Sequence, residues 1–404
     1  MSRFRTVLFW VHFTCGTVAG LFIAVMCATG VALAFEKPVT DWVARDASRL
    51  TAPVGASARL GLREIVKRAR EARGDARPTA VTISIDRAVR VEFGRDGAVY
   101  VDPATGDVRP EPAGARRFFQ SVEDWHRALA QTGERRTIGR AISGACNAAF
   151  LVLALTGVCL WTPRRWSWSA IRSAATLRWR LAARARDFNW HTTVGFWCSP
   201  VLVILTLTAL PMSYRWANDA IYHLAGGAAP AGPGGDAAPE PVSPPAPDAR
   251  PLDQDALLAK AQALVPEWET ITLRLRAGRR PESAGARPPR EEGQRSEGRR
   301  GAGSVNFTIR AKNRWPAFAS INLTLNPYTG EAIQRADLPG TDTGRRWRSW
   351  ARFLHTGEAF GTPGQAMAAA GALGGVVLVL TGLALAIRRI FGRGKPAAAN
   401  ADSA

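Results

Sequence analysis

Four long apolar stretches constrain this chain more than any other feature of its sequence. They lie at residues 7–35, 137–162, 188–214 and 362–390. Each is long enough to span a bilayer, which requires about 20 predominantly apolar residues. The first follows a short basic N-terminus, but its apolar core is about twice as long as that of a typical signal peptide. We therefore predict an α-helical membrane protein with four transmembrane helices.

Basic residues predict the orientation of these helices. The net charge is +20, and the connection at 163–187 carries arginine at 164, 165, 172, 178, 180, 184 and 186. By the positive-inside rule this loop is cytoplasmic, and so are both termini, including the tail at 391–404. The long polar regions at 36–115 and 215–345 are then extracytoplasmic. Because the basic charge accompanies membrane spans, we expect contact with membrane lipid and not with nucleic acid.

The spans fall into two similar halves. FWVHFTCG in the first span resembles FNWHTTVG in the third, and the interval from His12 to Thr29 equals that from His191 to Thr208. TIGRAISGACNAAFLVLALTG in the second span is likewise similar to TPGQAMAAAGALGGVVLVLTG in the fourth. An internal repeat of this kind predicts two copies of one structural unit.

The polar regions repeat as well. VYVDPATGDV at 99–108 matches LTLNPYTGEA at 323–332, and in each the Pro and Gly suit a tight turn between strands. An amphipathic helical stretch and alternating strand patterns precede each turn, which predicts two α+β domains of one helix and three or four strands. Segments 226–250 and 278–304 are rich in residues that bury little apolar surface, and we interpret them as disordered loops.

Four of the five histidines occupy two equivalent pairs of positions. His12 and His191 lie near the cytoplasmic ends of the first and third spans. His126 and His355 lie in predicted interfacial helices at 116–136 and 346–361, on the opposite side. Ionisable side chains within membrane segments are costly and usually functional. His223 has no counterpart, and we interpret it as a surface residue.

Paired histidines predict a specific cofactor. Two neutral imidazoles from facing helices can supply both axial ligands of a b-type haem, so we expect two haems, one held by His12 and His191 and one by His126 and His355. Zinc and copper sites usually need three or four protein ligands. Acidic residues beside the second pair leave such a metal site open there, and interfacial histidines satisfied by backbone or headgroups remain the simplest alternative.

Arginines are frequent beside the second pair, although the positive-inside rule disfavours them on that side. Arg127, Arg348 and Arg352 are candidates for pairing with the anionic propionates of a haem. Contact with headgroup phosphates would explain any single one of them equally well.

This ordered combination of histidines, spans ending in TG, and the VDPATG and NPYTG turns resembles the PepSY-associated transmembrane family over nearly the whole chain. Members are bacterial inner-membrane proteins, often iron-regulated, and some are ferric-siderophore reductases. The resemblance implies four membrane helices with two extracytoplasmic PepSY domains. It also implies haem-iron ligation by His12, His126, His191 and His355. The third span departs from the pattern, because Ala209 replaces the glycine, and the loop at 278–304 lengthens the second PepSY block.

The resemblance implies a dihaem oxidoreductase that reduces a ferric siderophore or another ferric chelate in the periplasm. One haem cannot carry an electron across about 30 Å of hydrocarbon, whereas two form a stepwise path. The electron donor is either quinol or a cytoplasmic reductase. The alternatives are a PepSY-based binding or regulatory protein without redox activity, and a quinone-linked cytochrome b. A transporter is disfavoured because the spans lack acidic residues and broken helices.

Overall fold

The computed structural model divides the chain into two compact units. The helical unit comprises residues 1–37, 117–229 and 343–404, and the sheet unit comprises 38–116 and 230–342. The structure describes residues 3–51, 59–74, 76–162, 167–230, 242–246, 248–275, 303–312, 314–337 and 342–391. Most of the predicted loop at 278–304, and the middle of the one at 226–250, lie outside the described residues.

Four helices in the helical unit are long and apolar enough to cross a membrane, at the four predicted places. They are α1 (Arg3–Ala34), α5 (Arg135–Trp161), α7 (Ala183–Ser213) and α11 (Gly361–Phe391). Large apolar side chains such as Val18 and Leu380 are exposed on their outer faces. Helices that are apolar on all sides are typical of membrane spans. The prediction of a helical membrane protein is therefore confirmed.

The spans pack in the order α1, α5, α7, α11 around a four-helix bundle, so that α1 lies diagonally opposite α7. Small residues allow the close approach. A methyl group on Gly20 would lie 3.5 Å from Leu383, and one on Gly375 would lie 2.6 Å from the sulfur of Cys27. Glycine at helix contacts is typical of membrane bundles, where van der Waals packing drives association.

Five shorter helices flank the spans in the sequence: α2 (Glu36–Val43), α4 (Ala113–Ala128), α6 (Trp168–Ala175), α8 (Arg215–Leu224) and α10 (Thr343–Thr356). Helices α4 and α10 overlap the predicted interfacial helices at 116–136 and 346–361, but each begins three residues earlier, and they end eight and five residues earlier. Three of these helices are not predicted by the sequence pattern: α2 directly after the first span, α6 within the basic loop at 163–187, and α8 directly after the third span. Each follows a span closely and is too short for a clear 3.6-residue pattern.

The sheet unit contains one antiparallel sheet of eight strands in the order β4-β3-β2-β1-β5-β6-β7-β8. The strands are β1 (Ala80–Ser84), β2 (Val89–Glu92), β3 (Ala98–Val101), β4 (Val108–Pro110), β5 (Trp268–Arg274), β6 (Val305–Ala311), β7 (Ile321–Leu325) and β8 (Ala332–Ala336). Helices α3 (Leu62–Glu71) and α9 (Gln254–Leu264) contribute buried residues to the same hydrophobic core as the strands.

This arrangement differs from the expectation of two separate domains. Strand β1 pairs with β5 in register, with Thr82 opposite Thr272 and their hydroxyls 3.0 Å apart. The carboxylate of Asp255 in α9 accepts a hydrogen bond of 2.8 Å from the backbone amide of Leu62, which begins α3. Joining the two blocks satisfies the hydrogen-bonding edges that β1 and β5 would otherwise expose.

Candidate functional site

His12 and His191 face each other inside the helical bundle. They lie on the diagonally opposite spans α1 and α7, and their ring centroids are 6.2 Å apart with the ring planes at 90°. The interval between the two residues in the sequence is long, so the bundle itself creates the contact. We call these residues the first pair.

His126 and His355 form a second pair of facing rings. They lie near the ends of α4 and α10, with centroids 6.4 Å apart and ring planes at 52°. The structure thus brings together the four histidines in the same two pairs that the sequence pattern predicted. His223 is exposed on α8.

Hydrogen bonds fix the proton position on each ring. Three rings contact, through Nδ1, a backbone carbonyl that can only accept: Met26 for His126 (3.0 Å), Leu378 for His191 (3.1 Å) and Leu205 for His355 (2.8 Å). His12 Nδ1 lies 2.9 Å from the hydroxyl of Thr156, which donates its own proton to the Val152 carbonyl. In its neutral form each ring therefore carries the proton on Nδ1 and leaves Nε2 free to bind a metal.

The spacing within each pair suits one metal ion between two imidazoles. A metal–imidazole bond is about 2 Å long and the ring centre lies roughly 1 Å behind the nitrogen, so two opposed rings on one ion have centres about 6 Å apart. The described residues contain no group of three or more His, Cys, Asp or Glu side chains placed to hold a metal. Two imidazoles fit a metal that brings its other ligands with it, as the iron of haem does.

The two pairs are well separated along the bundle. His12 and Thr29 belong to one continuous helix, and the Thr29 hydroxyl lies 2.9 Å from Nδ1 of His126. Seventeen residues at 1.5 Å each place the two levels about 25 Å apart along α1. This distance is close to the thickness of a bilayer's hydrocarbon core, about 30 Å.

The three predicted arginines lie on the same short helices as the second pair, and each has a partner within the protein. Arg127 forms an ion pair with Glu123 one turn earlier on α4, and its side chain is 56% exposed. Arg348 donates from Nε to the side chain of Asn218 over 3.0 Å, and burial together with the charge of Arg352 lowers the pKa of Arg348. The guanidinium of Arg352 lies over the ring of Phe353.

Carboxylates also occur close to the second pair in the sequence. Burial of Glu36 and the nearby charges of Glu123 and Glu358 raise the pKa of Glu36. Glu123 precedes His126 by three residues, and Glu358 follows His355 by three. The local charge at this pair is therefore mixed, and not purely basic as the arginine pattern alone would indicate.

Trp161 is a residue that the sequence analysis missed. It ends α5, one turn beyond Gly157, whose Cα lies beside the His12 ring. Its indole stacks on Phe196 with centroids 4.2 Å apart, while its buried Nε1 has no hydrogen-bond partner among the described residues. A buried donor normally has an acceptor, so a group bearing oxygen atoms, such as the carboxylates of a haem, suits the surroundings of the first pair.

Comparison with known proteins identifies the family. Residues 9–389 match the family model described as the PepSY-associated TM region. No curated protein matches the sequence. The match includes all four spans and both histidine pairs. The chain is therefore a multi-pass membrane protein that belongs to the PepSY-associated transmembrane family.

Proposed function

We propose that the protein is a membrane oxidoreductase with two b-type haems, which passes electrons across the membrane to a ferric siderophore or another ferric chelate. The observation that carries this proposal is the geometry of the histidine pairs. Each pair has centroids close to 6 Å apart and Nδ1 protons committed to acceptors in the protein. A merely structural interfacial histidine has no need of a second imidazole opposite it.

The chain's own residues would hold each haem in a defined way. Nε2 of His12 and His191 would bind one iron, and Nε2 of His126 and His355 the other. When bound, haem supplies a reversible one-electron carrier whose potential depends on its axial ligands and its burial. Trp161 would donate its indole N–H to a carboxylate of the haem at the first pair.

The separation of the pairs supports a transmembrane role. With both termini cytoplasmic, as the basic loop predicts, the first pair lies near the cytoplasmic face of the inner membrane and the second near the periplasmic face. Quinol or a cytoplasmic reductase would donate electrons at the first pair. A ferric chelate would accept one electron per iron at the second pair, and the resulting Fe(II) complex would release its metal more readily.

Haem content is the first test. The purified full-length protein should contain about two haems per chain with a low-spin spectrum. His191→Ala should remove about one haem, whereas the matched variant His223→Ala should keep both, because His223 is exposed and lies outside both pairs. A colourless wild-type protein, or full haem content in His191→Ala, would contradict the proposal.

Electron transfer is the second test. Chemically reduced protein should be reoxidised by a ferric siderophore at one electron per iron, and His355→Ala should block this reaction. The gallium(III) complex of the same siderophore is the control, because it matches the ferric complex in charge and shape but accepts no electron. In membrane vesicles of known orientation, a ferric siderophore that cannot cross the membrane should react only from the periplasmic side. If no ferric chelate reoxidises the reduced protein but a quinone oxidises it rapidly, the protein is a quinone-linked cytochrome b.

A further inference from the structure

A threonine followed by a small residue occurs once in each span. Thr-Gly stands at 29–30, 156–157 and 381–382, and Thr-Ala stands at 208–209. In the sequence these dipeptides serve only as markers of the repeat. In the structure, three of the threonines contact a histidine that belongs to a different helix.

Each of the three threonines is an acceptor that its own helix holds in place. The hydroxyls donate to the carbonyl four residues earlier, over 2.6–2.7 Å, at Val25, Val152 and Val377. With its proton used in this way, the oxygen can only accept from the histidine. The Nδ1–Oγ1 distances are 2.9 Å for Thr29 with His126, 2.9 Å for Thr156 with His12, and 3.1 Å for Thr381 with His191.

The glycine that follows each threonine lies against the same imidazole ring. A methyl group on Gly30 would lie 3.5 Å from Cε1 of His126, and one on Gly157 would lie 3.4 Å from Cε1 of His12. The closest approach is at Gly382, where a methyl would lie 3.1 Å from Cε1 of His191. The first two distances are ordinary van der Waals contacts, so only Gly382 provides space that a side chain would take from the histidine ring.

The fourth dipeptide, Thr208-Ala209, differs from the other three at both positions. The Thr208 hydroxyl bonds to its own helix, at 2.6 Å from the Ile204 carbonyl and 3.1 Å from the Leu205 carbonyl. His355 donates directly to the Leu205 carbonyl instead. Ala209 occupies the place that corresponds to Gly30. Thr208 is therefore a threonine at an equivalent position, with the same bond to its own helix, but without a histidine hydrogen bond in the described structure.

We propose that Thr29, Thr156 and Thr381 are positioning residues, each of which fixes the rotation of a haem-ligating histidine on another helix. Thr29 and Thr381 act together with the Met26 and Leu378 carbonyls, which also accept from the Nδ1 of His126 and His191. This inference rests on the proposed function. Hydrogen bonds to the second nitrogen of a metal-bound imidazole orient the ring and raise its basicity, and their loss typically weakens metal binding about 10- to 100-fold.

The test compares Thr156→Val, Thr156→Ser and the control Thr208→Val in the full-length protein. Valine keeps the shape of threonine but removes the acceptor, so haem at the first pair should transfer to apomyoglobin about 10- to 100-fold faster. Its midpoint potential should rise, because a less basic imidazole stabilises ferric iron less. Thr156→Ser should resemble the wild type, since it keeps the hydroxyl, and Thr208→Val should change neither quantity at the first pair, because Thr208 contacts neither of its histidines.

Site selectivity separates positioning from general damage. Thr156→Val and Thr381→Val should change only the haem at the first pair, and Thr29→Val only the haem at the second pair. Equal effects of Thr156→Val and Thr208→Val, or changes at both haems in every variant, would overturn the positioning role. A wild-type protein without haem would instead refute the proposed function on which this inference rests.

Discussion

The two halves of the chain build the same turn from residues of different charge. Asp102 and Asn326 each precede the proline of a PxTG turn, and each accepts backbone amide hydrogen bonds of 2.9 and 3.4 Å from the residues two and three positions later. The glycines of the two turns, Gly106 and Gly330, have φ of 78° and 72°. Turn geometry therefore requires only an acceptor, which either side chain supplies.

The charge of Asp102 serves contacts outside the turn. Its second oxygen accepts from the backbone and the hydroxyl of Thr51, over 2.9 and 2.6 Å, and lies 3.4 Å from Arg109. The residue is only 1% exposed. The comparison shows that a shared fold position can carry an additional network in one half, and that the network, not the turn, distinguishes the two.

The largest expected effect comes from removing both carboxylate oxygens of Asp102. Asp102→Ala leaves the partners of a buried carboxylate unsatisfied and should lower the free energy of unfolding of the sheet unit by about 3 kcal/mol, against about 1 kcal/mol for Asn326→Ala. Hydrogen exchange of peptides covering β3 and β4, compared with β7 and β8, would measure this difference. Equal losses in the two turns would show that the contacts to Thr51 and Arg109 contribute nothing.

A slightly smaller effect should follow from acid. Burial alone would raise the pKa of Asp102, but hydrogen bonds from the Thr51 hydroxyl and from the amides of Ala104, Thr51 and Thr105 lower it from 3.8 to about 2. Because the folded pKa is depressed, the stabilisation is complete above pH 4 and is lost as the pH falls towards 2. By linkage the loss amounts to about 2.5 kcal/mol.

Asp102→Asn provides the control for this acid effect. It converts the first turn to the residue type of the second, keeps the turn acceptor and cannot titrate. Urea unfolding between pH 5 and pH 2, followed for both proteins, should show a steeper loss of stability in the wild type. Parallel curves would mean that Asp102 does not bind its proton differently in the folded and unfolded states.

Another difference between the halves lies within the bundle. Phe150 in α5 corresponds to Gly375 in α11, and a methyl on Gly375 would lie 3.3 Å from the Phe150 ring and 2.6 Å from the Cys27 sulfur. Gly375→Ala should therefore cost about 1–2 kcal/mol through overpacking. Cys27→Ala removes the sulfur, so the double variant should recover most of the loss in thermal stability. An additive double variant would argue against this contact.

The sequence predicts the helical unit better than the sheet unit. Hydropathy locates the four spans because a lipid-exposed helix must be apolar along its whole length. The matching intervals around His12 and His191 predict facing positions, since both intervals lie within continuous helices. By contrast, the pairing of β1 with β5 depends on register between distant segments, and neither strand's pattern of alternation specifies its neighbour.

Some contacts of the candidate site could not be predicted from the sequence. The partner of each Nδ1 is a threonine or carbonyl on another helix, and its identity follows only from the packing of the bundle. Trp161 has no distinguishing pattern at the end of an apolar run. The connections after the two histidines of the second pair differ as well: Leu129 and Ala130 adopt positive φ after α4, whereas Gly357 does so after α10.

The pairing of β1 with β5 has a consequence for biogenesis. The two strands come from segments separated by two membrane spans, so the sheet cannot close until both of these spans and the second block have been made. During that interval the nascent first block presents β1 as an unpaired edge, which is a template for wrong pairing. Translation and membrane insertion of the second half would therefore limit the maturation of the first, and truncation after the second span should yield a protein prone to aggregation.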